Sequence, residues 1–252
     1  MRTGKKQKGK IALAIWGIIG LCLASDFFPF VDSAKTQEAV QEAVETVWLA
    51  DSEENKKEGQ VVQNNSFEEK TIALTFDDGP HPIYTPKLLD GLRKRGVQVT
   101  FFLIGQNIDG NEEIIRQMKE DGHLIGNHSQ NHMQLTKEQS QEACDQINRT
   151  NEKIKSITGE QPEYVRPPYG SWSEELECIV PMRVVLWNVD PLDWKTQNTS
   201  MIVQHIVSHV EDGSIILLHD VYDTSVDAAL EIIDILSKEG YRFVTVDELM
   251  IE

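Results

Sequence analysis

Two adjacent carboxylates, Asp77 and Asp78, stand at the end of an apolar run, in the sequence TFDDGP at residues 75–80. The preceding residues 71–76 are rich in strand formers, and a glycine and a proline follow the acids, which predicts a buried strand that ends at them. A loop that leaves a strand can turn both side chains toward one cavity. Asp-Asp-Gly-Pro is also a favourable turn sequence, so these six residues alone leave a structural role open.

Two histidines further along the chain have a spacing that suits metal chelation. His128 and His132, in HSQNH, are four residues apart, which brings both imidazoles to one side of a helical turn. A carboxylate from another strand end would complete a two-His-one-Asp set with open positions for water and substrate. One aspartate can then bind the metal while its neighbour stays free as a base, which explains why there are two acids.

Strands and helices alternate along residues 66–252, which is the pattern of a parallel α/β fold. Their number predicts a distorted (β/α) barrel of seven or eight strands, complete or incomplete. The predicted strands are 71–76, 97–104, 123–126, 164–166, 183–187, 214–218 and 242–245, and the predicted helices are 84–95, 112–121, 137–158, 173–179, 199–210 and 226–239.

Polar residues follow these predicted strands at nearly every C-terminal end. They are Asp77 and Asp78, His128 and His132, Arg166, Asp190 and Asp193, and His219 and Asp220. The C-terminal ends of the strands in a parallel barrel share one face, where active sites lie, so we expect these side chains to converge. Asp190 is interpreted as loop structure.

The charge of the chain excludes some classes of partner. The formal net charge is −17, and the first ten residues contain only basic charges, so the remainder is still more acidic. An acidic body argues against binding to nucleic acid or anionic lipid through bulk charge, and leaves a neutral glycan open. Cys22, Cys144 and Cys178 have no metal-ligand or disulfide-framework spacing; we expect buried thiols, with a Cys144–Cys178 pair as the alternative.

The N-terminal sequence predicts export. Residues 1–30 combine a basic head with an apolar segment, Ile11–Ala24, that matches a signal peptide and, if it is not cleaved, a single-pass signal anchor facing the cell exterior. Residues 31–65 predict an amphipathic helix and then a polar, flexible tether. Residues 66–252 form the predicted catalytic domain, and the sequence does not indicate its oligomeric state.

Five ordered segments resemble the motifs of the polysaccharide deacetylase family, the NodB-homology enzymes of carbohydrate esterase family 4. They are TFDDGP at 75–80, HSQNH at 128–132, RPPYG at 166–170, DPLDW at 190–194 and ILLHD at 216–220, and the resemblance covers residues 70–252. It implies a divalent metal held by Asp78, His128 and His132. Zinc suits these ligands best, and cobalt, nickel and iron fit them too.

The resemblance also implies catalytic roles. Asp77 would be the general base toward water, and Arg166 would keep it ionised and oriented. His219 would be the general acid that protonates the departing amine, with Asp193 raising its pKa. Without the matching motifs, a surface ion pair for the arginine and a buried core position for the histidine would be the simpler interpretations.

Three further positions are assigned by the resemblance to substrate binding. Tyr169 would offer its backbone N–H to the oxyanion of the tetrahedral intermediate. Trp194 and Leu217 would form the wall of the pocket for the acetyl methyl group. Each of these three side chains has packing as its alternative role.

The expected function is metal-dependent removal of N-acetyl groups from N-acetylglucosamine units of a glycan, with release of acetate. Peptidoglycan is favoured over chitin because an exported bacterial enzyme would meet it first. The alternatives are an O-acetyl esterase acting on a polysaccharide such as xylan and a catalytically silent glycan-binding protein. The chain has no G-x-S-x-G motif, which disfavours a serine esterase. A glycosidase mechanism would need the two carboxylates but would give the two histidines no role.

Overall fold

The structure is a computed structural model that describes residues 70–135, 140–172 and 182–251. Its strands are β1 Lys70–Asp77, β2 Thr100–Leu103, β3 Leu124–Asn127, β4 Tyr164–Val165, β5 Arg183–Val184, β6 Ile215–His219 and β7 Tyr241–Val244. Its helices are α1 Tyr84–Arg95, α2 Gly105–Ile108, α3 Glu112–Glu120, α4 Ser140–Thr158, α5 Asp193–Thr196, α6 Thr199–His209, α7 Asp223–Lys238 and α8 Val246–Leu249, with a 3-10 turn at Pro168–Gly170.

All strand pairs in the described residues are parallel, in the order β5-β4-β3-β2-β1-β6, and β7 pairs with the first half of β1. Ala73 pairs with both β6 and β7, so β7 lies at the edge of β1 that β2 occupies further along. The loop after β5 reaches the outer edge of β6, where Leu217 N donates to Val189 O at 2.9 Å. The sheet therefore curls into a distorted barrel, as predicted, and the segment 185–189 bridges the gap between β5 and β6.

Strand β1 shows how the sequence separates the core from the site. Ile72, Leu74 and Phe76 belong to the large apolar cluster beneath the helices, whereas Ala73 belongs to the smaller cluster with Phe102. Because strand residues alternate between faces, Thr75 and Asp77 lie on the Ala73 side, the barrel interior. The alternation of side chains along β1 therefore places the Asp77 side chain inside the barrel, at the C-terminal end of the strand.

Most predicted elements are present with shifted ends. Helix α1 has the predicted bounds and ends at Gly96, whose φ of 64° lies in the left-handed region that favours glycine. The predicted strand 183–187 was too long, because the carbonyls of Val185 and Leu186 accept hydrogen bonds from Arg166. The predicted helix 226–239 begins three residues earlier, at Asp223.

Several predictions fall outside the described residues. They concern the export segment and tether at 1–65, the helix at 173–179, and Cys22 and Cys178. Cys144 is buried, as expected, and its pairing state stays a prediction. None of the helices within 70–135, 140–172 and 182–251 is both long and apolar enough to cross a membrane.

Candidate active site

Asp77 is held at the top of the barrel interior by a fully buried arginine. Arg166 follows β4, and its Nη1 donates to Asp77 Oδ1 at 2.9 Å and to Thr75 Oγ1 at 2.6 Å. The guanidinium also stacks on the Phe102 ring, 4.3 Å from its centroid. Burial lowers the pKa of Arg166, and the charge and hydrogen bond of Asp77 oppose that shift. The sequence interpretation missed Thr75, although it lies two residues before Asp77 and so on the same strand face.

Asp78, His128 and His132 form a three-residue cluster beside Asp77. One side-chain ligand atom from each lies within 4.8 Å of the other two. Asp78 Oδ1 is 3.4 Å from His128 Nε2 and 3.5 Å from His132 Nε2. Asp78 has a φ of 73° and His132 a φ of 60°, both in the left-handed region, which residues other than glycine adopt at a cost. The backbone is therefore strained where these groups converge.

Each of the two histidines turns its Nε2 toward the cluster. His128 Nδ1 lies 2.7 Å from the carbonyl oxygen of Arg166, which can only accept, so Nδ1 carries a proton and Nε2 is the nitrogen that faces Asp78. Burial lowers the pKa of His132; the charge of Asp78 opposes this shift and His128 reinforces it. Neutral imidazole is the form that binds metal ions.

His219 lies at the end of β6, the strand next to β1, where its backbone pairs with Asp77. Its Nδ1 is 2.7 Å from Oδ1 of the fully buried Asp193, whose Oδ2 accepts from the His219 backbone N–H and from Ser225 Oγ. Burial alone would lower the pKa of His219. The hydrogen bond and charge of Asp193, aided by Asp77 and Asp78, outweigh burial and raise that pKa to about 9.

These groups surround one cavity of about 440 Å³. Eight of the ten predicted site residues line it, and Arg166 and Asp193 lie buried behind it. The lining residues are Asp77, Asp78, His128, His132, Tyr169, Trp187, Asp190, Leu192, Trp194, Leu217, His219 and Tyr222. The structure thus brings all ten predicted residues together.

Tyr169 lies in the 3-10 turn after β4, with φ 60° and ψ 14°. Within the described residues, its backbone N–H has no hydrogen-bond acceptor among the main-chain carbonyls, and its hydroxyl is 3.2 Å from His132 Nδ1. The side chain is 71% exposed, and Trp194 is 48% exposed, so neither is a core residue. Packing as the role of these two side chains is therefore disfavoured, whereas Leu217 is buried and lines the cavity.

Four residues that the sequence interpretation set aside or left without a role also line the cavity: Trp187, Asp190, Leu192 and Tyr222. Asp190 accepts a hydrogen bond from Leu192 N at 2.8 Å, as a loop residue would, but it also lines the cavity. Trp187 and Tyr222 line it too and carried no signal, because each follows or precedes a motif rather than belonging to one. Asp220 is fully buried, and burial raises its pKa to about 7.

Comparisons with known proteins agree with this geometry. The family model described as polysaccharide deacetylase matches residues 64–180. A peptidoglycan-N-acetylglucosamine deacetylase of Bacillus cereus is 37% identical over 197 residues, which cover 75% of this chain and 91% of that protein. The chain belongs to the polysaccharide deacetylase family. The family resemblance of the five motifs is thereby confirmed.

Other members of the family differ in what they act on. The peptidoglycan-N-acetylmuramic acid deacetylase PdaC of Bacillus subtilis is 46% identical over 72% of this deacetylase-family chain, which spans only 39% of that relative. The solved structure of PdaC matches with a TM-score of 0.70, covering 72% of this chain and 90% of that one. A family 4 acetyl xylan esterase from Clostridium thermocellum, solved with a cobalt ion, is 36% identical with a TM-score of 0.68, covering 72% and 91%.

The residues present fit the divalent metal that this deacetylase family implies. Asp78 Oδ1 is a buried atom with no hydrogen-bond partner, and it points between two imidazole nitrogens that cannot donate to it in their metal-binding tautomer. A buried carboxylate oxygen without a partner is costly, and a cation would compensate it. One carboxylate and two imidazoles, with the remaining directions open to the cavity, form a hydrolytic ligand set.

Proposed function

We propose that this chain is a metal-dependent deacetylase that removes N-acetyl groups from N-acetylglucosamine units of peptidoglycan and releases acetate. The arrangement of Asp77 and His219 carries this proposal: they face one cavity from paired positions on β1 and β6, beside a cluster that fits a metal. A base, an acid and a metal ligand set around one cavity are what metal-assisted amide hydrolysis requires.

Asp78, His128 and His132 would hold the metal, with zinc as the favoured ion. When bound, a divalent metal polarises the acetyl carbonyl and lowers the pKa of water. Asp77 would take a proton from the attacking water through Oδ2, because Arg166 Nη1 donates to its Oδ1 and Oδ2 is the oxygen on the His128 side, 3.7 Å from His128 Nε2. The Tyr169 backbone N–H would donate to the oxyanion as the carbonyl oxygen gains charge.

His219 would then protonate the departing nitrogen, so that the C–N bond breaks to give a free amine and acetate. Its raised pKa keeps it protonated near neutrality, which is the state a general acid needs. Trp194 and Leu217 would contact the acetyl methyl group and exclude water from that side of the cavity. The water oxygen would bond to the acetyl carbon and leave in acetate, and proton exchange with solvent would restore Asp77 and His219 to their starting states, so no covalent enzyme intermediate is required.

The polymer is inferred from the relatives. The Bacillus cereus relative is named for N-acetylglucosamine and PdaC for N-acetylmuramic acid, and both names specify peptidoglycan. An O-acetyl esterase is the second candidate, because the chain also resembles an acetyl xylan esterase in structure. A silent glycan-binding protein is disfavoured, since the base, the acid and all three ligands are present in one cavity.

The test is acetate release by the zinc-loaded chain from peptidoglycan, a chitin pentamer and acetylated xylan, beside a chelator-treated sample. We expect release from peptidoglycan and the pentamer that the chelator abolishes. Mass spectrometry of the digested peptidoglycan identifies which sugar loses its acetyl group. Release from xylan alone would favour the esterase, and no release from any polymer while zinc stays bound would support the silent binding protein.

We also propose that residues 1–30 export the protein and that residues 31–65 tether the domain, which would place the enzyme at the outer side of a bacterial membrane. The basic head and the apolar segment Ile11–Ala24 support this. Cell fractionation of the full chain and of a chain lacking residues 1–30 tests it. The shortened chain is expected in the cytoplasm, and an unchanged distribution would refute export by this segment.

A further inference from the structure

We propose that the hydroxyl of Tyr169 is the outer hydrogen-bond partner of His132 and raises the affinity of the site for a divalent cation. The inference rests on the metal site of the proposed function. It assigns to the Tyr169 side chain a positioning role distinct from that of its backbone N–H.

The geometry separates the two nitrogens of the His132 ring. Its Nε2 lies 3.5 Å from Asp78 Oδ1, and its Nδ1 lies 3.2 Å from the Tyr169 hydroxyl. The two rings meet edge to face with centroids 4.6 Å apart. One nitrogen therefore faces the ligand cluster while the other faces the phenol.

His128 has a different partner, and the contrast shows why Tyr169 matters. The His128 ring is 3% exposed, and its Nδ1 is held by the backbone carbonyl of Arg166 at 2.7 Å. The His132 ring is 29% exposed, and the phenol is the hydrogen-bond partner that the described residues offer to its Nδ1. The orientation of the more exposed histidine therefore depends on one side chain that a substitution can remove.

Cation binding strengthens this hydrogen bond. When His132 Nε2 binds a cation, Nδ1 must carry the ring proton and donate it to the Tyr169 oxygen. The cation withdraws electron density from the ring, so the N–H becomes a better donor than in the free protein. A bond that is stronger in the bound state raises affinity, and outer partners of metal-binding histidines are typically worth about 10–100-fold in metal affinity.

Tyr169→Phe isolates the hydroxyl. Phenylalanine keeps the edge-to-face ring contact and the backbone N–H and removes only the oxygen. Because Tyr169 is 71% exposed, the substitution does not endanger the fold. Tyr222→Phe is the matched control, since it removes a phenol oxygen from the same cavity that no described residue hydrogen-bonds.

The experiment measures zinc affinity of the metal-free chain by competition with a chromophoric chelator, and repeats it with Co²⁺ followed by its visible absorption. We expect Tyr169→Phe to weaken affinity about 10-fold, at the lower end of the usual range because the contact is exposed. Tyr222→Phe should bind as the parent does. In a His132→Ala background, Tyr169→Phe should cause no further loss.

The outcomes distinguish this inference from the function on which it rests. If the parent chain binds neither Zn²⁺ nor Co²⁺, the metal site of the proposed function is wrong. If the parent binds and Tyr169→Phe binds equally well, only the role of the hydroxyl is overturned. Equal weakening by Tyr222→Phe, or further weakening without His132, would also overturn it.

Discussion

Adjacent aspartates are given different environments by one change of backbone direction. Asp77 still belongs to β1 and points into the barrel, where Arg166 Nη1 donates to its Oδ1 and also to the hydroxyl of Thr75. Asp78 has left the strand with a φ of 73°, and its carboxylate lies beside the histidines. A fixed, buried carboxylate suits proton abstraction, whereas one that faces two imidazole nitrogens suits a cation.

Asp77→Asn should remove the base and keep the metal site. The amide is isosteric, so Asp78, His128 and His132 retain their positions. We expect kcat to fall by about 10²–10⁴-fold, the usual contribution of a general base, while zinc stoichiometry stays that of the parent. Asp78→Asn is the control that should lose zinc. Loss of zinc by Asp77→Asn would mean that Asp77 is itself a ligand.

The pH dependence of the reaction should report His219. Its pKa is raised from 6.5 to about 9, so the acid remains protonated until the pH approaches that value. Activity is therefore expected to fall on the alkaline side as the proton is lost. Asp193→Asn removes the charge that opposes the effect of burial on the pKa of His219. In a profile of kcat measured from pH 6 to 10, the fall in activity at alkaline pH should therefore move to lower pH by about one unit or more.

The free energy of unfolding should also fall as the pH rises and His219 loses its proton. A group whose folded pKa is raised contributes stability that is complete below its unfolded pKa, and His219 loses that contribution as pH rises through about 9.

Ser225→Ala is the control for the pH dependence of kcat, because it removes another hydrogen bond to Asp193 but keeps the Asp193–His219 pair. An alkaline limb that stays in place in Asp193→Asn would contradict the assignment of His219 as the acid.

At the scale of residues, the sequence supports the types and positions of the site groups but not their contacts. The spacing of His128 and His132 and the doubled aspartate point to a metal site because local geometry suffices for that inference. The Tyr169–His132 contact joins a strained turn to a distant loop, and a hydrogen bond between such loops has no periodic signature. Trp187 and Tyr222 were missed because each lies just outside a motif, and only the folded chain brings them to the cavity.

At the scale of elements, Arg166 closes the barrel. Its Nε and Nη2 donate to the carbonyls of Val185 and Leu186, in the segment that crosses from β5 to β6. Its Nη1 reaches the interior face of β1. One buried side chain thus donates hydrogen bonds to backbone carbonyls between β5 and β6 and also orients the proposed base. Barrel closure and the position of Asp77 therefore depend on each other.

Arg166→Met should destabilise the metal-free protein by about 3–5 kcal/mol, the usual cost of removing one member of a buried ion pair. Both side chains are nearly inaccessible, at 0% and 4% exposure, so Asp77 would be left as an uncompensated buried charge. Adding Asp77→Asn should recover part of the loss. Urea unfolding of the four proteins gives the coupling free energy, and strictly additive effects would show that the pair is not coupled.

The individual strands and helices were largely predictable from the sequence, but the way in which the barrel closes was not. Strand β1 and helix α1 follow from apolar periodicity and from the glycine that ends the helix. Strand β5 could not be distinguished from the longer run 183–187, because the carbonyls after Val184 bind a side chain instead of a neighbouring strand. Hydrogen bonds from a distant arginine are tertiary interactions that a local pattern does not contain.

At the scale of the whole molecule, the metal site joins separate parts of the barrel. Asp78 follows β1, and the histidines follow β3, two strands away in the sheet. A cation held by all three would bind the folded chain and have little affinity for the unfolded one. Its binding free energy therefore adds to the stability of the fold.

Zinc should raise the midpoint of thermal unfolding. At a free concentration 100 times Kd, binding contributes about 2.7 kcal/mol, which corresponds to a shift of about 5–10 °C for a domain of this size. The shift should grow with the logarithm of zinc concentration and vanish in Asp78→Asn. Asp90→Asn, at an exposed site on α1, should keep it. A shift that survives in Asp78→Asn would place the stabilising ion elsewhere, because the substitution removes the negative charge that lies 3.4 and 3.5 Å from the two imidazole nitrogens.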